Sequence, residues 1–301
     1  MNFESMLSKC SLCPRNCMVD RLNGESGWCL AGKSIKIARV SLHEWEEPCI
    51  SGTHGSGTVF FSNCTLKCVF CQNYKISQEH FGKEISIERL SDIFLELQSK
   101  GAHNINLVTP THYVPQIIEA IKISKSKGLN LPILYNTSSY ENVETIRALK
   151  GYIDVYLPDL KYFKDAYAVK YSHAPEYFKF ASKAIKKMFA QAGEPVFDKD
   201  GLIKKGVIIR HLMLPGLLFD SKKVVDYIHE TFGDKVYLSL MNQYTPMHYS
   251  YKYPEINKPL NPKHYDSLID YCLRIGIKNG FIQDTGTSSE NFVPEFDLRG
   301  V

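Results

Sequence analysis

From residue 58 onward, short apolar runs alternate with longer segments in which apolar residues recur at helical spacing. The apolar runs predict strands at 58–62, 104–109, 131–137, 152–161, 206–215 and 235–241, with a further candidate strand at 280–284. The segments between them predict helices at 87–99, 113–127, 141–149, 177–191, 221–232 and 262–275. Nearly continuous apolar strands that alternate with helices indicate a parallel sheet covered on both faces.

Six or seven strand–helix units favour an α/β barrel, which need not be complete, over an open sheet. Functional residues of such barrels lie at the carboxyl ends of the strands. Those ends carry the polar stretches "SNC", "TPTHY", "NTSSY", "PDLKY" and "LPG". A small hairpin is predicted at 195–206, turning at Asp200 and Gly201. We interpret residues 1–50 as an irregular, Cys-rich segment and residues 51–301 as the barrel.

The composition excludes several classes of function. A net charge of +4, from 36 basic and 32 acidic residues, gives no case for nucleic acid or an anionic membrane surface as a partner. No apolar run approaches the roughly 18 residues of a membrane span, and the N-terminus lacks the apolar core of a secretory signal. Nine cysteines in such a chain indicate metal or redox chemistry in a reducing cytoplasm.

Three cysteines are concentrated directly after the first predicted strand. The loop "SNCTLKCVFCQN" (62–73) contains Cys64, Cys68 and Cys71, and the next cysteine, Cys272, is far along the chain. Three thiolates can hold three irons of a [4Fe-4S] cubane, which leaves the fourth iron open. An open iron can bind the amino and carboxylate groups of S-adenosylmethionine (SAM). The alternatives are a zinc site completed by a histidine, or plain buried cysteines.

The same loop resembles the signature of the radical SAM superfamily. The wider stretch "SLHEWEEPCISGTHGSGTVFFSNCTLKCVFCQN" (41–73), with "CSLCPRNC" upstream, is similar to the subfamily of pyruvate formate-lyase activating enzyme-like proteins. The likeness continues through "NLVTPTHYVPQ", "LYNTSSYE", "YLPDLKY" and "IIRHLMLPG". The resemblance implies a partial (β/α)6 barrel and reductive cleavage of SAM to a 5′-deoxyadenosyl radical.

Candidate SAM-binding residues follow from the resemblance and from the strand ends. Where the superfamily usually has Gly-Gly-Glu, this chain has Thr109-Pro110-Thr111-His112, so Thr109, Thr111 and His112 are candidates. For Thr111 the alternative role is a helix N-cap. For His112 the alternative is a hydrogen-bonded structural histidine.

The next three strand ends supply the other candidates. By position in the family, these are Asn136, Thr137, Ser138, Asp159, Lys161, Arg210 and His211. Strand alternation places Asp159 and Lys161 on one side, where together they suit a zwitterionic ligand, or form a local ion pair. Alternation lets only one of Arg210 and His211 face the barrel interior, and the sequence does not say which. A charge on a buried strand needs a partner, so Arg210 could instead pair with an acid on a neighbouring element.

A second cysteine group lies in the N-terminal segment. Cys10, Cys13, Cys17 and Cys29 form a set of four thiols within twenty residues, which suits structural zinc or an auxiliary iron–sulfur cluster. Reduced free thiols are the alternative. Cys49 and Cys272 are interpreted as single packed thiols.

Together these features predict a radical SAM oxidoreductase that abstracts hydrogen from a substrate at the barrel mouth. The resemblance implies that the substrate could be a glycine of a glycyl radical enzyme, or another peptide or small molecule. An electron donor such as flavodoxin or ferredoxin is expected. The alternative from another class is a non-enzymatic iron–sulfur or zinc protein that senses metal or redox state and binds a partner.

Overall fold

The computed structural model describes residues 3–283 and 294–301. Its ten strands form one sheet, in which nine strands follow the main path and the remaining one pairs with one of them at the side. The strands are β1 Ile35–His43, β2 Ser56–Phe61, β3 Lys83–Ile85, β4 Ile105–Val108, β5 Ile133–Thr137, β6 Val155–Pro158, β7 Val196–Phe197, β8 Ile203–Leu212, β9 Tyr237–Met241 and β10 Gly280–Ile282. All seven predicted strands are present, with shifted ends. The last residue of the run 280–284 lies outside the described residues.

The main path of the sheet runs β10-β9-β8-β6-β5-β4-β2-β1-β3. From β2 to β10 all neighbours are parallel, whereas β1 and β3 are antiparallel. Within the described residues β10 and β3 are the edges and do not pair with each other, so the sheet is not a closed barrel. The predicted α/β class, with an incomplete parallel barrel, is confirmed.

The helices follow the parallel strands, as the periodicity indicates. They are α1 Phe3–Ser8, α2 Pro48–Ser51, α3 Tyr74–Ser77, α4 Ile87–Ser99, α5 Val114–Ser126, α6 Val143–Ala148, α7 Asp165–Ser172, α8 Tyr177–Ala192, α9 Leu218–Phe232 and α10 Pro262–Ile275. Local chemistry fixes the ends of two of them. The Ser86 hydroxyl accepts the Arg89 N–H at the start of α4. Asn261 caps α10, which ends at the left-handed Gly276.

The core lies where the sheet is covered on both faces. Every residue of β2, β4 and β6 is buried. This burial explains why these strands are nearly continuous apolar runs, because neither face of a covered parallel sheet is open to water. The predicted hairpin at 195–206 is also present: β7 pairs antiparallel with β8, and Gly201 turns with φ +77°.

The prediction of an irregular first fifty residues is wrong for strand β1. This strand pairs with β2 over most of its length, so part of the N-terminal region belongs to the main sheet. The register shifts between Ile37 and Arg39. Such a bulge moves the apolar positions from odd to even residues, and it therefore hides the period of two from a pattern search.

Among the described helices, none has the length and apolar character that crossing a membrane would need.

Candidate active site

A cavity of about 460 Å³ opens at the carboxyl ends of the central strands. The cysteine loop after β2 and the residues that end β4, β5, β6 and β8 line it together. Ten of the predicted site residues contribute to its wall, namely Cys64, Cys68, Cys71, Thr109, Asn136, Thr137, Ser138, Asp159, Lys161 and Arg210. Residues far apart in sequence therefore meet because parallel strands end at one edge of the sheet.

The cysteine loop is held from several sides. The Cys68 sulfur lies 3.0 Å from the Ser172 hydroxyl, and the Cys71 sulfur lies 3.3 Å from the Ser77 hydroxyl. The Leu66 N–H points at the Cys64 sulfur at 3.4 Å. The Val69 N–H donates to the carbonyl of Tyr171, which fixes the loop to the end of α7. All three thiols thus face one cavity from a braced loop.

The three thiols are buried and protonated before any metal binds. Burial raises the pKa of all three, that of Cys71 to about 11, so metal binding here must release protons. Within residues 3–283 and 294–301, no three His, Cys, Asp or Glu side chains surround a point where one ion would sit. Three cysteine sulfurs that line one roomy cavity form a donor set of the kind that iron–sulfur clusters use.

An ion pair follows the sixth strand. The Lys161 ammonium lies 2.6 Å from Asp159 Oδ2, and both side chains are largely buried. Burial by itself lowers the pKa of Lys161, but the adjacent Asp159 carboxylate raises it above the ordinary value. Lys161 is therefore a cation at the cavity wall. The Tyr177 hydroxyl, which accepts the Lys161 N–H at 3.0 Å, orders the backbone of this turn.

Arg210 faces the cavity, and His211 does not. Arg210 binds both Glu46 and Glu47, which lie in the loop after β1. Burial alone would raise the pKa of Glu47, but Arg210 lowers it. The His211 Nδ1 lies 2.7 Å from the carbonyl oxygen of Leu160, and burial lowers the pKa of this imidazole to about 4. The pairing of Arg210 with acids on a neighbouring element, one of the two readings of the sequence, is present.

Residues after β4 and β5 are tied together by a buried carboxylate. Glu141 Oε1 accepts hydrogen bonds from Thr111 and Thr137 at 2.6 Å and from Tyr135 at 3.1 Å. Burial raises the pKa of Glu141 to about 7. Thr111 thus points at Glu141 rather than into the cavity, and Tyr113 occupies the N-cap position of α5. Thr109, which does line the cavity, has a left-handed backbone with φ +59°.

His112 has the environment of a structural histidine. Its Nε2 lies 2.7 Å from the carbonyl oxygen of Ser62, and the ring packs against Tyr113. Burial lowers the pKa of the imidazole to about 3, so it is neutral at physiological pH. The side chain therefore supports the start of the cysteine loop. It is not part of the wall of the 460 Å³ cavity.

Sequence reasoning missed the three carboxylates of this region. Glu46 and Glu47 belong to the segment that the sequence predicts as irregular, and Glu141 is predicted only as the first residue of a helix. The signal available for the first two was the pair of adjacent acids in "EWEEP" together with a lone arginine on an apolar strand. For Glu141 the signal was the hydroxyl-rich "NTSSYE".

The second cysteine group lies apart from this cavity. Cys10, Cys13, Cys17 and Cys29 line a separate cavity of about 20 Å³. Cys49 and Cys272 are both buried among apolar side chains, as the sequence predicts.

Comparison with known proteins finds relatives over most of the chain. Two uncharacterised proteins of Methanocaldococcus jannaschii are similar over most of the chain. MJ0674 is 29% identical over 278 residues, which is 89% of this chain and 75% of that protein. MJ0808 is 22% identical over 296 residues, which is 90% of this chain and 78% of that protein.

Among solved structures, Streptococcus suis SuiB bound to S-adenosylmethionine shares the fold. The TM-score is 0.51 at 15% identity, over 75% of this chain and 49% of SuiB. This chain therefore matches about half the length of that protein. The sequence model of the radical SAM superfamily matches residues 58–228, which include the cysteine loop and the strand ends that line the cavity. The chain belongs to the radical SAM superfamily.

Proposed function

We propose that this protein binds a [4Fe-4S] cluster at Cys64, Cys68 and Cys71 and uses SAM to abstract hydrogen from a substrate at the open end of the large cavity. Members of the superfamily are enzymes with these two cofactors, and they usually need a reductant. One observation supports this assignment above the others. The three thiols share one wall of a cavity with a buried cation and a carboxylate.

The donor set fits the cluster, because soft thiolates are the usual ligands of iron–sulfur centres. The bound cluster and SAM would supply the reductive cleavage that gives methionine and a 5′-deoxyadenosyl radical. The chain itself would bind and orient. Lys161 is suited to the SAM carboxylate and Asp159 to its amino group, because each carries the complementary charge.

The polar strand ends would hold the remainder of SAM. Thr109, Asn136, Thr137 and Ser138 offer hydroxyl, amide and backbone groups along the adjacent wall. We propose Arg210 as a further contact from the neighbouring strand. Three of the candidates would support this wall without contacting SAM. Thr111 donates to Glu141, and the rings of His112 and His211 contact the carbonyls of Ser62 and Leu160.

Apolar side chains would keep water from the reacting groups. Leu66, Phe70, Val108, Leu212 and Met241 line the same cavity between its polar groups. Phe70 packs against Tyr244 with ring centroids 5.7 Å apart. A site lined in this way protects a reactive intermediate from side reactions.

For the substrate, we propose a glycine residue of a glycyl radical enzyme. The support is the resemblance of residues 41–73 to activating enzymes. We also propose flavodoxin or ferredoxin as the electron donor and a reducing cytoplasm as the location. Anaerobic incubation with candidate partner proteins, followed by electron paramagnetic resonance, tests the substrate. A glycyl radical signal supports it, and silence with every such partner argues against it.

Reconstitution under anaerobic conditions tests the reaction itself. With dithionite and SAM, 5′-deoxyadenosine should form. If SAM stays intact beside a well-formed cluster, the protein is better explained as an iron–sulfur sensor that binds a partner.

A further inference from the structure

The four N-terminal cysteines surround one small cavity. Cys10, Cys13, Cys17 and Cys29 all contribute to its wall, and all four are free thiols rather than disulfides. The backbone brings them together through a short loop: the Cys10 N–H donates to the carbonyl of Val19, and the Met18 N–H returns to the carbonyl of Cys10. Four thiols from twenty residues therefore share one enclosed space.

The backbone around Cys17 adopts an uncommon conformation and packs closely against the sulfur. Asn16 and Met18, which flank Cys17, both have left-handed backbones, with φ of 44° and 59°. A Cβ atom at Gly27 would lie only 2.7 Å from the Cys17 sulfur, so only glycine fits there. The backbone N–H of the next residue, Trp28, points at that sulfur at 3.3 Å. Backbone strain of this kind persists where the surroundings enforce it.

Arg21 adds an independent observation. This side chain is 1% exposed, and it donates to the carbonyls of Gly32 and His112. One of its nitrogens lies 4.0 Å from the Cys10 sulfur. In the described part of the chain, no carboxylate forms an ion pair with it, although a buried charge is costly unless it is compensated.

We propose that Cys10, Cys13, Cys17 and Cys29 bind a second metal centre as four thiolates, with Arg21 as its counter-charge. A divalent ion or a [4Fe-4S]²⁺ core held by four thiolates has a net charge of about −2, which a buried guanidinium partly offsets. Binding forms four metal–sulfur bonds and releases four protons. The donor set is complete, so this centre has no open position for a ligand.

The four thiols suit two kinds of metal centre, zinc and an iron–sulfur cluster. A cavity of about 20 Å³ has room for about one atom, which suits zinc. A [4Fe-4S] cluster also takes four cysteine thiolates, one at each iron, so the same donor set suits a cluster. The shared chemistry is tetrathiolate coordination, and the metal count distinguishes zinc from iron.

The position of this centre gives it a structural role. Arg15 Nε donates to the carbonyl of Thr65, the residue after Cys64, at 3.2 Å. Arg21 donates to the backbone carbonyl of His112 at 2.7 Å. The His112 ring in turn contacts the carbonyl of Ser62, at the start of the cysteine loop. Thr145 on α6 donates to the carbonyl of Leu12. Metal at the N-terminal cysteines would thus brace the loop that holds the catalytic cluster.

Metal analysis of a variant that lacks Cys64, Cys68 and Cys71 tests this centre without the catalytic cluster. All three are changed to alanine, and the protein is purified and reconstituted anaerobically with iron, sulfide and zinc. We expect either about one zinc per chain without sulfide, or about four irons with matching sulfide. Adding Cys13→Ser should lower the retained metal at least about tenfold.

Cys272→Ser in the same background is the matched control, because Cys272 is buried but outside both groups. It should leave the metal count unchanged. The wild-type chain provides a check that does not depend on variants folding, since it should hold metal in excess of four irons. Four irons and no zinc in the wild type, or no metal in the triple variant, would overturn the proposal. Because SAM cleavage is not measured, failure here is distinct from failure of the proposed function.

Discussion

The two cysteine regions differ in the number of thiols, the space beside them and the charges around them. The loop of Cys64, Cys68 and Cys71 offers three sulfurs to a cavity of about 460 Å³. The N-terminal group offers four sulfurs to about 20 Å³. Beside the first, Lys161 and Arg210 each pair with largely buried carboxylates, whereas Arg21 beside the second contacts carbonyls and a sulfur. An incomplete donor set beside open space suits chemistry, and a complete set in a small space suits structure.

Removal of one sulfur from the three-cysteine loop should have the largest effect. In Cys68→Ala, one iron loses its protein ligand, so formation of 5′-deoxyadenosine from SAM should fall to background. Chromatography of anaerobic reactions with dithionite measures the amount of 5′-deoxyadenosine formed. Cys272→Ala should retain the wild-type rate. Full activity in Cys68→Ala would show that the loop does not hold the catalytic cluster.

Arg210→Met tests whether the ion pairs of Arg210 with Glu46 and Glu47 stabilise the fold. It leaves Glu46 and Glu47 buried without their cation, which costs about 3–5 kcal/mol of unfolding free energy. Chemical denaturation followed by tryptophan fluorescence measures this loss. Arg147→Met is the control, since the exposed pair of Arg147 with Glu144 contributes at most about 1 kcal/mol. Equal losses in both variants would contradict the buried ion-pair network.

Glu141→Gln should change how stability depends on pH. Burial raises the pKa of this carboxyl from 4.5 to about 7. Between these values the folded state keeps the proton and the unfolded state has lost it. The free energy of unfolding therefore falls by about 1.4 kcal/mol per pH unit as the pH rises through this window.

Glutamine cannot ionise, so the variant should lack this slope. Thermal unfolding midpoints from pH 4.5 to 7 measure it, with the exposed Glu144→Gln as the control. The same slope in Glu141→Gln and wild type would mean that this carboxyl is already ionised in the folded protein.

Lys161→Met should weaken SAM binding at the wall of the large cavity. A hydrogen bond to a charged group contributes about 1.5–3 kcal/mol, so we expect the KM for SAM to rise about 10- to 100-fold. Steady-state assays of 5′-deoxyadenosine over a range of SAM concentrations measure it. Lys122→Met removes an exposed lysine that pairs with Glu119, and should leave the KM unchanged. An unaltered KM in Lys161→Met would exclude this lysine from the SAM site.

Arg21→Met makes the matching test on the small cavity. Loss of the counter-charge should lower the affinity of the N-terminal thiols for metal by about 10- to 100-fold, as for other groups that surround a metal site. Competition with a chelator measures it in the variant without the three-cysteine loop. Arg21→Lys, which keeps the positive charge, should recover part of the affinity. If Arg21→Met retains metal as firmly as its parent, the charge argument is wrong.

The sequence predicted well where local rules decide the structure. Helices α4 and α10 begin and end where the caps at Ser86, Asn261 and Gly276 place them. The strands of the sheet interior were visible because burial on both faces demands apolar residues throughout. Strand β1 was missed because its bulge interrupts the alternation at Ala38.

Site residues were predictable in type more than in role. Asp159 and Lys161 form the local ion pair that is the alternative to binding a zwitterionic ligand. Alternation alone could not tell whether Arg210 or His211 faces inward, because that choice depends on which face of β8 meets the cavity. Glu46 and Glu47 could not be assigned to Arg210, since more than 160 residues separate them in the chain.

By itself, the sequence determined the alternation of the parallel strands with helices and the two cysteine sets with their spacing, because periodicity, capping and donor chemistry act over a few residues. Only the tertiary structure decided which of those groups meet. It gave three thiols a roomy cavity, enclosed four others beside Arg21, and joined Thr111 and Thr137 through Glu141. Those contacts are set by strand order and by burial, which bring together residues that no local pattern relates.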